Sequence, residues 1–277
     1  MITIRTIFIA AAIGVFASSC SYETIRVSDE ISTIEYDFDN ITALSVATDF
    51  KAYVTFSDTE ESVRIKANDN LFDKIRVYKE GGKLTVKLKN YINIKGKETL
   101  QLHITTAEIK DFEASSDASI YLDDFLNADD VTIDLSSDAY FEGNITTNDF
   151  ELRASSDSKV NLILDASRAF MNLSSGAKVD GEIRTQDATL KLTSDSAIDA
   201  IGTMDNLEAT LSSDSKLGDY GLHIEDLEIS LSSDSDAYLT VSNTIDVTAS
   251  SDARLFYKGD AEIVRQILSS DGRVIKK

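Results

Sequence analysis

Proline and tryptophan are absent from this 277-residue chain, and cysteine occurs once, at Cys20. A lone thiol excludes a disulfide within the chain. Without proline, no position is barred from donating to a hydrogen-bonded ladder. Histidine is limited to His103 and His223, and no Cys/His cluster has metal-ligand spacing. A glycine-rich phosphate loop is missing too. Positive charge is scarce: 27 Lys and Arg stand against 48 Asp and Glu, a formal −21. The chain therefore lacks the basic surplus that displaces counterions from nucleic acid, and anionic lipid repels it. Cations, basic proteins and neutral glycans are left as partner classes.

Apolar runs long enough to span a bilayer are missing as well. The start, MITIRTIFIAAAIGVFASSC, has Arg5, then an apolar stretch from Ile7 to Ala17 that is too short for a mature span. Ala17, Ser18 and Ser19 precede Cys20. This reads as a lipoprotein signal over residues 1–19 with Cys20 as the lipidated anchor; an ordinary signal peptide with an incidental cysteine is the alternative. Removing Arg5 leaves 26 basic and 48 acidic residues, or −22.

What the chain does have is a repeat. The unit [Ala/Leu]-[Ser/Thr]-Ser-Asp recurs with its fourth residue at Asp117, Asp138, Asp157, Gly176, Asp195, Asp214, Asp234, Asp252 and Asp271, at spacings of 21, 19, 19, 19, 19, 20, 18 and 19. Taking that residue as position zero, positions −7, −5 and −3 are almost always apolar, as in Val131, Ile133 and Leu135. Position +1 is always Ala, Ser or Gly, and +3 is apolar again. Period 2 with one buried face means strand. A 19-residue period is too short for a propeller blade or a helical hairpin. It fits one coil of an all-β, single-stranded parallel β-helix, expected to be right-handed, with coils stacked about 4.8 Å apart. Asp49, Asp69 and Asn90 mark weaker corners upstream, and EGG (Glu80 to Gly82) reads as a hairpin turn. The domain reading is a tether over 20–35 and a β-helix over 36–277. Residues 36–113 form its degenerate coils and 114–277 its regular ones. A solenoid throughout would hold roughly 13 coils and reach about 60 Å.

Stacking places one corner aspartate above another, and unit charges about 4.8 Å apart in water repel by roughly 0.9 kcal/mol. Three roles compete. Aspartate accepts local backbone hydrogen bonds and tolerates left-handed angles at corners; glycine at position 176 agrees with a demand on backbone shape. A row of outward carboxylates binds Ca²⁺, with Asp195, Asp214, Asp234 and Asp252 as the candidates. Asp clusters also serve catalysis in pectin-degrading β-helices, but here the aspartate recurs in nearly every coil, as a scaffold requires. Nothing places either histidine beside a unique serine, so no catalytic residue is assigned. Tyr121, Tyr140 and Tyr238 are candidates for stacking on a glycan; isolated surface aromatics are the ordinary alternative.

The lipoprotein start, the segment ANDNLFDKIRVYKEGGKLTVKLKN, the strand LQLHITTAEIKDFEASSDASI and the Ser-Ser-Asp coils resemble the head GIN domain family of auto-transporter adhesins. That family is common among lipid-anchored proteins of Bacteroidetes. The resemblance runs from about residue 36 to the end. It implies a β-helix and a cell-envelope location, here an outer-membrane lipoprotein facing either side. It implies adhesion by name and supplies no catalytic residues. The function expected is a non-enzymatic, lipid-anchored adhesin-like binding protein with a glycan or protein ligand and no cofactor. The alternatives are a carbohydrate-active β-helix enzyme and a structural envelope spacer. The terminal coil edge is a route to oligomers, unless Arg273, Lys276 and Lys277 keep it soluble.

Overall fold

The computed structural model describes residues 23–277. Cys20 and the signal over 1–19 lie outside the described residues. In chain order the strands are β1 (Glu23–Arg26), β2 (Ile31–Tyr36), β3 (Ala43–Ala47), β4 (Lys51–Phe56), β5 (Ser62–Asn68), β6 (Ile75–Glu80), β7 (Lys83–Leu88), β8 (Ile92–Lys95) and β9 (Leu100–Thr106). A 3-10 helix, Asp69–Lys74, joins β5 to β6. The strands continue as β10 (Asp111–Ser115), β11 (Ser119–Leu122), β12 (Leu126–Ser136), β13 (Tyr140–Ala154), β14 (Lys159–Leu173), β15 (Lys178–Leu192) and β16 (Ala197–Leu211). The last are β17 (Lys216–Leu217), β18 (Leu222–Leu231), β19 (Asp236–Ala249), β20 (Arg254–Lys258), β21 (Glu262–Leu268) and β22 (Arg273–Lys276).

From β10 onward each strand pairs in parallel with the equivalent strand of the next coil. Tyr140 lies beside Lys159, Lys159 beside Lys178, and Lys178 beside Ala197. The alternating apolar residues enter the interior; Val160, Leu162, Leu164, Met171 and Leu173 of one coil are all buried. The result is a β-solenoid of about nine turns with about 19 residues per turn, roughly 43 Å along its axis at the parallel-strand spacing.

The recurring motif forms the tight corner. The last serine and the aspartate both take positive φ, 55° and 61° at Ser156 and Asp157 and 54° and 62° at Ser194 and Asp195. The residue after the aspartate donates back to the first serine, as Ser158 N–H does to Ser155 C=O at 3.3 Å. Two central residues with positive φ and this bond define a type I′-like turn. The corner also stays inside the inter-coil ladder. Asp157 N–H donates to Ser175 C=O at 2.9 Å, and Ser155 N–H to Leu135 C=O at 3.0 Å. The position +1 side chain points into the core. Where it is serine, its hydroxyl ties two coils: Ser215 Oγ donates to Leu192 C=O at 3.1 Å and accepts from Ser212 N–H. Ser158 Oγ is equally buried and has no partner.

The N-terminal segment departs from the sequence reading. Asp49 does occupy a corner, with φ of 65° and 61° at Thr48 and itself. Asp69, however, opens the 3-10 helix, and Asn90 lies in the turn before β8. Between the Asp49 coil and β10 the chain folds back on itself. The hairpin expected at EGG is present, with β6 antiparallel to β7. In addition, β5 lies antiparallel to both β9 and β2. A hairpin consumes a similar length of chain to a coil, so spacing alone did not separate them. This mixed sheet, with Leu84, Leu102 and Ile104, and the 3-10 helix, with Leu71, cover the open end of the core. It also accounts for about nine turns where roughly 13 were expected. The 20–35 tether is likewise replaced from Glu23 on: β1 pairs with β8 and β2 with β5. At the other end, β21 pairs with β19, and among the described residues no strand pairs with its second edge.

Three substitutions test this packing. Gly181 has φ of 137°, and a Cβ there would stand 1.9 Å from the Leu162 carbonyl oxygen. Gly181→Ala is expected to cost about 1–3 kcal/mol, read as a fall in the denaturation midpoint. Ser158→Ala removes a buried hydroxyl that has no partner and is expected to be neutral or stabilising, whereas Ser215→Ala should cost about 1 kcal/mol. Equal losses in the two serine variants would contradict the bridging role.

Candidate functional site: an aromatic and basic strip

Because every coil turns at the same corner, residues at equal distance from it align in columns. Position +4 faces outward. Its column reads Tyr53, Tyr121, Glu142, Asn161, Asp180, Asp199 and Gly218, then Tyr238, Phe256 and Ile275 nearer the C-terminus. Aromatic rings thus hold both ends and polar or acidic groups the middle. Position +2 gathers Lys159, Lys178, Lys216, Arg254 and Arg273 into one line, interrupted by Ala197 and Asp236.

At the N-terminal end the structure brings Tyr121 and Tyr140 together with Tyr53 and His103, neither of which the sequence reading assigned to a site. His103 stacks on Tyr53 at 5.1 Å and Tyr53 on Tyr121 at 5.3 Å, within about 15° of parallel. Tyr140 tilts against Tyr121 at 5.6 Å. The stacked rings belong to successive coils, so their faces cover one another and their edges meet solvent. Tyr140 donates to the Glu142 carboxylate at 2.6 Å. Burial first, then that carboxylate, pushes the Tyr140 phenol up to about 12. Burial, then the nearby Arg64 guanidinium, holds His103 below its ordinary value.

Tyr238 lies six coils further on, roughly 29 Å away along the axis, in a different setting. It stacks on Phe256 at 4.7 Å and meets Tyr220 edge to face at 5.7 Å. Four cations sit on these rings: Lys216 lies 5.3 Å from the Tyr238 centroid, Lys258 4.1 Å from Tyr220, and Lys277 and Arg254 5.2 and 5.7 Å from Phe256. Such contacts contribute about 0.5–1 kcal/mol each at exposed sites. The acid inside the cluster, Asp236, is engaged twice, by Arg254 in a two-point pair at 2.7 Å per contact and by the Tyr238 hydroxyl at 3.2 Å. Burial, then Asp236, raises the Tyr238 phenol above its usual value. Among the described residues, no carboxylate lies within ion-pair distance of Lys216, Lys258, Arg273 or Lys277. Elsewhere basic residues commonly pair with an acid one coil away, as Arg168 does with Asp149 and Arg265 with Asp246. Sequence reading found Tyr238, gave Lys277 only a solubilising role, and missed Tyr220, Phe256, Lys216 and Lys258. Writing the +2, +4 and +6 positions of each coil one above another is the signal that finds them.

The corner aspartates Asp195, Asp214, Asp234 and Asp252 are exposed and stand in single file. No backbone amide is capped by any of their carboxylates, so the corner relies on their backbone angles rather than on an Asx bond. Among the described residues no three or more His, Cys, Asp or Glu side chains converge in a way that could hold a metal. One groove, of about 420 Å³, runs past Ser45, Glu113, Asp134, Arg153 and Asn172. Its carboxylates are ion-paired, Glu113 to Lys83 and Asp134 to Arg153.

A parallel β-solenoid with a mixed-sheet cap and an outward ring-and-cation strip defines a repeat protein whose chemistry is displayed on its coils. A family model described as "Putative auto-transporter adhesin, head GIN domain" matches residues 37–183 and 163–261, and the chain belongs to that family. None of the curated proteins matches it. The fold is shared with solved structures. A "putative adhesin" of Parabacteroides merdae aligns with TM-score 0.70 at 14% identity, over 92% of this chain and 99% of that one. A "putative lipid binding protein" of Parabacteroides distasonis gives 0.69 at 15%, over 92% and 100%. A "putative adhesin" of the same species gives 0.69 at 12%, over 92% and 100%. Membership agrees with a cell-envelope surface protein, and no helix among the described residues is long and apolar enough to cross a membrane.

The file of aspartates yields a test. A ligand held by the folded state raises stability in proportion to RT ln(1 + [L]/Kd). Thermal unfolding in EDTA and across a Ca²⁺ titration is expected to match the same titration with Mg²⁺. A saturable rise specific to Ca²⁺ would make the column an ion site.

Proposed function

We propose that this protein is a lipid-anchored, non-enzymatic, adhesin-like binding module of the bacterial outer membrane. Cys20 is the anchor and the solenoid is the stalk. The carrying observation is the ring-and-cation cluster at Tyr220, Tyr238 and Phe256. It lies on the coils furthest from the capped N-terminal end, where a ligand is reached most easily once that end is tethered. The family's description and the solved adhesins of the same fold support this reading. The paired state of Glu113 and Asp134 favours a binding surface over a catalytic one, because an acid or base held in an ion pair is poorly placed to exchange protons with a substrate. Neither a metal nor an organic cofactor is required.

In a Bacteroidetes host, the wild-type chain is expected in the membrane fraction, labelled by an azido fatty acid, and cells displaying it should adhere to a glycan-coated surface. Cys20→Ala should abolish the label, release the protein into the soluble fraction and remove adhesion. A variant that keeps its label or stays with the membrane overturns the anchor. Adhesion unchanged by deleting the gene overturns the adhesin role.

A further inference from the structure

We propose that the C-terminal cluster is a subsite for an acidic polysaccharide, with Lys216, Lys258 and Lys277 taking its carboxylate or sulfate groups; this rests on the binding-module reading above. In a chain with 48 acids against 27 bases, the average basic side chain has carboxylates close by. These three lysines have none in ion-pair reach and are held over aromatic rings at 5.3, 4.1 and 5.2 Å. A ring face positions an ammonium without neutralising it, so its N–H donors stay open to an anion. Asp236, the acid between them, is consumed by Arg254. The cluster is thus a local positive site on a strongly negative molecule.

Its shape selects the ligand. The lysines lie on coils that turn at Asp214, Asp252 and Asp271, about 14 Å from first to last along the axis. Lys216 stands at +2 and Lys258 and Lys277 at +6, so an extended polymer crossing the coils obliquely meets them in succession. The corner aspartates Asp214, Asp252 and Asp271 precede Lys216 by two residues and Lys258 and Lys277 by six, so they flank one side of the cluster. A flat anionic membrane would press against those carboxylates together with the lysines, whereas one narrow chain avoids them. The ring faces of Tyr238 and Phe256 cover each other, so base stacking of a single-stranded nucleic acid finds no platform. The Tyr238 hydroxyl, in contrast, donates its proton to Asp236 and keeps its lone pairs to accept from a sugar hydroxyl.

The test uses the full-length protein in detergent and two forms of one polymer, polygalacturonate and its methyl ester, which share a backbone while the ester lacks the carboxylate charge. Polygalacturonate should bind, weaken as salt is raised, and bind at least tenfold tighter than the ester. The triple variant Lys216→Gln, Lys258→Gln, Lys277→Gln should lose at least tenfold while unfolding at the wild-type temperature. Lys79→Gln with Lys110→Gln, lysines outside the strip that pair with Asp39 and Asp130, should change nothing. If polygalacturonate does not bind, dextran sulfate against dextran is the second pair, and no preference for the charged member of either pair overturns the proposal. Full affinity in the triple variant also overturns it. So does binding to phosphatidylglycerol–phosphatidylcholine vesicles that the triple variant loses, which would assign the cluster to a membrane. Adhesion that depends on Cys20 but survives the triple substitution would refute this inference and leave the adhesin role standing.

Discussion

The corner turn is the constraint on which the remaining structure depends, because it bends the chain without leaving the hydrogen-bonded ladder. At Asp157 the N–H reaches forward to Ser175 while Ser155 reaches back to Leu135. Two consecutive non-glycine residues in the left-handed region cost about 1–2 kcal/mol each. The inter-coil and intra-turn hydrogen bonds at each corner contribute about 1 kcal/mol apiece, which is the same order. The serine hydroxyls buried at +1 add further ties between coils where Ser196, Ser215 and Ser235 occur. Coil shape is therefore fixed by backbone geometry, and the outward side chains are released from structural duty.

That release explains how one fold carries unlike surfaces. Once the corner sets the register, an outward residue meets its counterpart about 4.8 Å away in each neighbouring coil. Whatever is placed there interacts along the axis. Carboxylate over guanidinium gives Asp149 with Arg168. Ring over ring gives Tyr53 with Tyr121. Carboxylate over carboxylate gives repulsion, visible where burial and then Asp117 and Glu98 raise the Asp49 carboxyl. Cross-strand pairs of these kinds are the usual unit of sheet stabilisation; a solenoid extends them into columns.

The regular half was legible because its two signals, period 2 within a strand and period 19 between coils, arise from the same hydrogen bonds that build it. Asp117 to Asp271 all fall at corners for that reason. Asp69 misled because spacing carries no hydrogen-bond direction: β5 leads into a 3-10 helix and a hairpin over nearly the length of a coil. The aspartate's contribution was half legible. Its tolerance of positive φ is realised at Asp195 and Asp214, while the expected side-chain bond to a backbone amide is not. For the site, Tyr238 was visible as an exposed-pattern aromatic. Its partners were not, since Lys216, Phe256 and Lys258 lie up to 42 residues apart in sequence and become neighbours only through stacking.

Net charge misleads in a related way. A formal −21 describes how the whole molecule repels a distant anion, yet screening confines that field to about 8–10 Å at physiological salt. Beyond that distance an acidic corner has little influence on a ligand resting on Lys258. Within it, what matters is which side chains stand nearest, and a solenoid can segregate them because each coil contributes independently to the strip. Acids excluded from the +6 positions Tyr220, Lys258 and Lys277 leave a positive site that composition conceals. The same acids, spread along the remaining coils, keep anions off the rest of the rod, so that a polyanion is held at one end of the molecule.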